Sequence, residues 1–402
     1  MHKLETKREV SQLTLLLMVT YMITYMARNN FSAIVGEIAT STGFSKSLLA
    51  MSLTGSFIAS GAGQFLSGPL GDKISPKRLI GLGLLITSIT NVLIAVSPNP
   101  WIMLGVWSIN GFAQSFIWPP LTRMMATLLS ADAYKNTVTK VNCGGSIGTI
   151  LVYLTAPIII MLTSWKGVFV TSSLLTVGML IVWHFCARDI PHEEVTQQRV
   201  KQKISLKMFV SPMMLMVFLA IILQGMLNGG VTSWMPTFVA ESFKIENEIS
   251  IVSSVLLPIF AIIFVEIGHW LYQKVITHPL ACAGLFFGVG AVFTFLLYQF
   301  SNYNVILTIT FAAMLTGAMN AVNLMLVSML PQFFERHGSV STVAGILNAS
   351  SYAGCAIATY GNAALSETIG WLETIFVWFL LALVGTFVCV FCIKPWNKKF
   401  AK

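Results

Sequence analysis

The groups most able to do chemistry in this chain are Tyr21, Tyr25 and Arg28, spaced by four and three inside the apolar stretch from Leu13 to Val35. On a helix that spacing stacks two phenols and a guanidinium along one stripe. Arginine does not shed its proton, and desolvating it near the middle of a bilayer is costly. Such a residue faces a polar cavity and contacts a solute, an ion or a partner. The competing reading is a structural arginine satisfied by carbonyls of neighbouring helices. Further hydrogen-bonding groups fall inside this and other apolar stretches: Asn29, Gln64, Asn142, Asn228, Asn320 and Asn348. Their side chains can bind hydroxyl groups of a solute or can bond only to other helices. Glu266 and His269, three residues apart in the eighth apolar stretch, are candidates to carry a proton, although Glu266 also reads as an ordinary interfacial carboxylate.

Other chemistries lack their parts. There is no phosphate-binding P-loop, no G-x-S-x-G nucleophile turn and no histidine-cysteine cluster. All six cysteines fall in apolar stretches, and the C-x-x-C of Cys389 and Cys392 has no second pair, so they read as small core residues. No enzyme activity, cofactor or metal site is expected.

The elements that must position these residues follow from composition. The chain has 402 residues, of which 55% are hydrophobic and only 10% charged. That charge cannot cover a soluble surface, so the chain is expected to be an all-α integral membrane protein whose main partner is the lipid bilayer. Stretches of spanning length recur at 13–35, 48–70, 79–97, 101–128, 137–163, 167–187, 208–232, 248–271, 279–299, 304–330, 340–364 and 371–393, which makes twelve. The basic segment 188–207 separates an N-terminal six-helix bundle (1–187) from a C-terminal one (208–402). Met1 to Gln12 is charged and leads into a stretch longer than a signal-peptide core, so no cleaved leader is expected.

Charge placement orients the helices. With the N-terminus inside, 20 of the 24 Lys and Arg fall in cytoplasmic segments. The opposite side holds only Lys46, Lys166 and Lys244, and Arg28 stays within the membrane. The positive-inside rule therefore places both termini in the cytoplasm and makes the net charge of +9 a topology signal, with no nucleic acid implied. The expected location is the cell inner (plasma) membrane. The halves also repeat: at an offset of 206, Gly111 matches Gly317, Asn142 matches Asn348, Gly148 matches Gly354 and Trp165 matches Trp371. Parallel six-helix repeats of this kind are a transporter architecture.

The turn after the second stretch reads Gly68-Pro-Leu-Gly71-Asp72-Lys73-Ile-Ser-Pro76-Lys77-Arg78. Its pattern G-x-x-x-D-(K/R)-x-x-x-(K/R) resembles the signature loop of the major facilitator superfamily, in which Gly68, Asp72, Lys73 and Arg78 would form a conformational latch. Three further runs, Tyr25-Met-Ala-Arg28-Asn-Asn-Phe31, Asn110-Gly111 to Arg123 by way of Trp118-Pro119-Pro120, and Asn142-Cys143 to Gly148, resemble the organophosphate:phosphate antiporters. Arg188-Asp189-Ile-Pro191 and Trp234-Met-Pro236-Thr237 extend the likeness. The resemblance implies that Arg28 takes the place of the family's first phosphate-clamping arginine, and that Tyr21, Tyr25 and Tyr352 match cavity tyrosines.

Four positions depart from that branch. The second clamping arginine corresponds to Asn228, a lysine to Asn29, a second-helix lysine to Gln64 and a fifth-helix histidine to Gly145. A phosphate monoester carries about −1.5 to −2 charges near neutral pH, and desolvating it takes several cations or donors. A carboxylate carries one charge and fits a single guanidinium fork. The expectation is a monomeric secondary active transporter, an antiporter or symporter, of a monoanionic sugar acid or small carboxylate. Its candidate contacts are Arg28, Tyr21, Tyr25, Asn29, Gln64, Asn142, Asn228, Asn348 and Tyr352. The alternatives are an organophosphate/phosphate exchanger, a transporter-like sugar-phosphate sensor and a drug exporter.

Overall fold

The computed structural model describes residues 4, 6–97, 99–189, 211–301, 303–330, 333 and 340–400, and among these every regular element is helical. The first half holds α1 (Lys7–Ala33), α2 (Val35–Thr42), α3 (Lys46–Lys73), α4 (Pro76–Val96), α5 (Pro100–Gln114), α6 (Trp118–Leu128), α7 (Ala131–Leu162) and α8 (Trp165–Cys186). The second half holds α9 (Pro212–Phe243), α10 (Asn247–Ser253), α11 (Leu256–Lys274), α12 (Pro279–Phe300), α13 (Val305–Asn323), a π-helical continuation (Leu324–Met329), α14 (Val340–Thr368) and α15 (Trp371–Phe400). Among the described residues, nine helices are long and apolar enough to cross a membrane.

Capping residues set the boundaries. Thr6 and Glu9 stand at capping-box spacing, and the Thr6 hydroxyl oxygen accepts the Glu9 N–H at 3.3 Å. The first helix therefore starts at Lys7, six residues ahead of its apolar stretch, and at 27 residues it is about 40 Å long. Asn99 and Asn304 each accept two N–H groups at the start of α5 and α13. Ser75, Ser211 and His278 cap α4, α9 and α12, each followed by a proline at the first helical position.

Two stretches that read as continuous are broken. The stretch 101–128 divides into α5 and α6 across a turn at 115–117, and 248–271 divides at 254–255. Pro119, Pro120 and Pro258 stand in the first turn of α6 or α11, where the missing N–H leaves no helical bond unmade. Pro157 and Pro236 do lie inside helices.

The chain divides into two compact units, one of residues 1–44 and 55–199, the other of 45–54 and 200–402. In the first, α1 packs on α7 and α4 on α8; in the second, α9 packs on α14, α12 on α15 and α11 on α13. Leu17, Leu84, Leu121, Met124 and Trp183 are among the core residues of the first unit, and Phe287, Trp378 and Trp396 among those of the second. Large apolar side chains such as Met161, Leu174, Phe185 and Phe391 are instead exposed along the helices, a surface suited to lipid.

The glycines matched by the repeat do the same work in each unit. A Cβ at Gly148 would stand 2.2 Å from the Met22 carbonyl oxygen on α1, and one at Gly354 would stand 2.1 Å from that of Ile222 on α9. Gly111 and Gly317 are likewise pressed against the backbone carbonyls of Ser56 on α3 and Phe260 on α11. Only glycine allows backbones this close.

The N-terminal end of α3 belongs to the second unit. There the Lys46 Nζ donates to Glu241 Oε2 at 2.9 Å and lies 5.1 Å from the centre of the Trp371 ring. The Trp371 Nε1–H donates to the same Glu241 oxygen at 2.7 Å, and the Ser47 hydroxyl donates to Glu367.

Candidate solute-binding site

The orientation of Arg28 is set by a neighbour that takes no part in the stripe. Asn30, fully buried, donates through Nδ2 to Asn91 Oδ1 on α4 at 2.7 Å and to Ser172 Oγ on α8 at 3.0 Å. Asn91 in turn donates to the Ala27 carbonyl at 3.2 Å. Two residues of helix turn the chain by about 200°, so fixing Asn30 toward α4 and α8 sends Arg28 to the opposite side of α1. Phe31 adds ring contacts to α5 and α8, with centres 5.1 Å from Trp107 and 5.8 Å from Phe169.

Along the opposite side, Tyr21, Tyr25 and Arg28 are all half-buried. The Tyr21 hydroxyl donates to that of Tyr25 at 3.1 Å, their ring centres are 4.7 Å apart, and Tyr21 packs on Trp118 at 5.0 Å. The Arg28 guanidinium carbon lies 5.7 Å from the Tyr25 ring centre, within cation–π range. The sequence stripe is thus assembled as one aromatic and cationic surface.

A flanking polar edge is supplied by α7. Asn29 donates to Thr149 Oγ1 at 2.8 Å, and that hydroxyl donates on to the Gly145 carbonyl at 3.1 Å. Asn142 is exposed and lies two turns before Thr149 on the same side of α7. Gly145, where the resemblance places a histidine, has space for little else: a Cβ there would stand 3.0 Å from the Tyr21 ring and 3.3 Å from the Tyr25 ring. Gln64 is half-buried on α3.

The second unit presents an amide cluster. Asn320 donates to Asn228 Oδ1 at 3.2 Å, and its Nδ2 also donates to the Thr316 carbonyl at 2.8 Å. One turn before Asn228, the buried Gln224 donates to the Met319 carbonyl at 3.2 Å. Its Oε1 accepts from Asn323 at 3.3 Å and from the Ser351 hydroxyl at 3.0 Å. Asn348 and Tyr352 are half-buried on α14, on either side of Ser351. Gln224, Asn323 and Ser351 are absent from the sequence-derived set, as is Asn30; the spacing of Gln224 to Asn228 is the signal that could have found the first.

The remaining candidates stand apart. Gly68, Asp72 and Lys73 fall in the last turns of α3, and their side chains lie outside the described residues. Arg78 is exposed in the first turn of α4. Glu266 is exposed on α11 in line with exposed Ile259, Ile263 and Trp270, and His269 Nε2 lies 2.9 Å from Gln273 Nε2. Cys389 and Cys392 are packed in the core of the second unit. Among the described residues, no group of three or more His, Cys, Asp or Glu comes together.

Known proteins bear on this architecture. The chain is 27% identical to a probable hexose phosphate transport protein of Chlamydia pneumoniae, over 43% of this chain and 38% of that protein, little more than a third of its length. It is 23% identical to the glycerol-3-phosphate transporter of Bacillus subtilis strain 168, over 97% of this chain and 93% of that one. A probable L-galactonate transporter of Escherichia coli K12 matches at 24% identity over 47% of this chain and 42% of that protein. Among solved structures, a bacterial homologue of the human lysosomal transporter Spinster, inward-facing and occupied, has a TM-score of 0.79 at 12% identity, covering 99% of this chain and 100% of that chain, a likeness of fold alone. The model of the Major Facilitator Superfamily matches residues 17–359. The chain therefore belongs to the major facilitator superfamily, within which it resembles the organophosphate:phosphate antiporters, and it is a multi-pass inner-membrane protein and not an enzyme.

Proposed function

We propose that the chain is a secondary active transporter moving a small monoanionic organic solute, a sugar acid or carboxylate, by alternating access. The observation that carries this reading is the charge at two positions. Arg28 stands on a tyrosine-lined surface, while Asn228, where the resemblance places a second arginine, is bonded to another amide. One guanidinium matches one carboxylate in charge and in fork geometry, whereas a phosphate monoester calls for more positive charge. The likeness to a probable L-galactonate transporter supports a sugar acid, and the likeness to phosphate-ester carriers keeps the exchanger as the second reading.

The proposed contacts are Arg28, Tyr21, Tyr25, Asn29, Gln64 and Asn142 in the first unit, with Asn228, Asn348 and Tyr352 in the second. The proposed topology has twelve spans with both termini cytoplasmic, supported by the division of 20 basic residues against three. The protein is proposed to work as a monomer, with Glu266 or His269 available for proton coupling and Gly68, Asp72, Lys73 and Arg78 for the latch.

The deciding experiment is a thermal-shift screen of the purified protein against sugar acids, small carboxylates and sugar phosphates, followed by counterflow in proteoliposomes. A ligand that binds only the folded state raises its apparent stability. Protection and exchange by a monocarboxylate, with none by phosphate esters, is the expected result. Protection by sugar phosphates alone would overturn the reading, and binding without exchange would point to a sensor.

A further inference from the structure

A cavity of about 310 Å³ opens in the first unit between the start of α4 and the end of α8, lined by Lys77, Arg78, Trp183, His184 and Asp189 among others. Its wall is fixed: the buried Trp183 indole donates from Nε1 to the Lys77 carbonyl at 3.0 Å, tying the end of α8 to the first turn of α4. That bond uses only backbone at Lys77, so the side chain remains available to the cavity. Arg78, His184 and Asp189 are exposed. The nearby Arg188 is turned elsewhere, donating to Glu9 at 2.8 Å.

The charge balance and the surroundings together specify the occupant. Among the described lining residues, two fixed cations against the one carboxylate of Asp189 leave a single positive charge, and His184 can add a ring N–H. One net positive charge suits a phosphodiester, which carries one negative charge. From Arg78, the exposed stripe of α4 continues through Leu82 and Leu85; from His184, that of α8 runs back through Ile181, and the exposed Phe185 has its ring centre 5.3 Å from that of His184. A soluble anion gains nothing from such surfaces, whereas acyl chains attached to the bound headgroup lie along them. We propose that this cavity is a headgroup site for an anionic glycerophospholipid of the surrounding membrane, with Lys77 and Arg78 holding the phosphodiester and the stripes on α4 and α8 receiving the acyl chains.

Native mass spectrometry of the full chain, released from neutral-detergent micelles carrying equal amounts of phosphatidylglycerol, phosphatidylethanolamine and phosphatidylcholine, tests this. The wild type is expected to retain phosphatidylglycerol preferentially. Each basic residue near an anionic lipid surface contributes about fivefold, so Lys77→Gln with Arg78→Gln should lower that retention roughly five- to thirtyfold. The pair Lys394→Gln with Lys398→Gln, which removes two exposed charges on another helix, should leave the preference intact. Should the double variant at α4 fail to fold, His184→Gln, which leaves the Trp183 bond untouched, is expected to give a smaller loss in the same direction. Equal retention of all three lipids, equal loss in the α15 control, or displacement of the lipid by millimolar inorganic phosphate would each overturn the assignment.

Discussion

Asn320 donates to Asn228 across 3.2 Å, so the position where the organophosphate carriers are expected to hold an arginine is occupied by one half of an amide pair. Each amide satisfies part of the other's hydrogen-bonding capacity, and no charge has to be desolvated. Asn228→Arg would restore a second cation in place of that pair. It is expected to shift the ratio of sugar-phosphate to sugar-acid binding by at least about tenfold, equivalent to roughly 1.4 kcal/mol. Competition binding with matched sugar acid and sugar phosphate measures the ratio. An unchanged preference would mean that Asn228 has no part in selecting charge.

Arg28→Lys keeps the charge and removes the planar fork. Loss of one charge-assisted hydrogen bond predicts a reduction in affinity for a monocarboxylate of about ten- to a hundredfold. Isothermal titration on the purified protein reads this directly. Equal affinity in both forms would mean that the guanidinium does not grip the carboxylate with both nitrogens.

Adjacent amides on α1 should behave differently. Asn30→Ala leaves Asn91 Oδ1 and Ser172 Oγ without their buried donor and is expected to cost about 2–4 kcal/mol of stability. Asn29→Ala leaves the Thr149 hydroxyl its bond to the Gly145 carbonyl and should cost about 1 kcal/mol or less. Scanning fluorimetry in detergent compares them, and equal losses would contradict the division of roles.

Gly148→Ala tests the approach of α7 to α1. The new methyl would meet the Met22 carbonyl oxygen at 2.2 Å, and that atom cannot rotate away. Separating the helices should cost on the order of 1–3 kcal/mol. Because this contact adjoins the tyrosine stripe, transport should fall with stability. A fully stable and active Gly148→Ala would show that the helices can part without consequence.

His278 gives the protein a pH dependence that can be checked by sign. Its Nδ1 accepts the Ala281 N–H at 3.3 Å, which leaves the proton of the neutral ring on Nε2, 2.9 Å from Asn397 Oδ1. Burial holds its pKa below the usual histidine value, partly offset by the bond to Asn397. A lowered folded pKa means that the unfolded chain binds the proton first. The stabilisation is therefore complete above about pH 6.5 and is lost as pH falls from there through the folded value. The melting temperature should drop more between pH 7.5 and 5 in the wild type than in His278→Asn, which can still cap α12. Parallel curves would remove His278 from the account.

Much of this was legible in the sequence, and the rest was hidden for physical reasons. The spacing of Tyr21, Tyr25 and Arg28 specified their common stripe because helical period alone decides it. Asn29 and Asn30 could not be ranked, since they point about 100° apart and only the packing of α4 and α8 reveals which is buried. Hydropathy located the apolar stretches but ran through the turn at 115–117, whose residues are as apolar as the helices they separate. The start of α1 at Lys7 was carried by the capping pair Thr6 and Glu9, outside any hydropathy signal. Gln224 and Asn323 escaped because their partners lie on helices distant in sequence.

The bonds of Asn30 and Asn29, to α4 and α8 on one side and α7 on another, key α1 against turning about its own axis. The bearing of the guanidinium is thus a property of uncharged neighbours. Selection can change the cation or its surroundings to suit a new cargo while leaving the aim intact. Conversely, loss of either amide bond would misdirect the charge in a way that adding positive residues elsewhere could not repair.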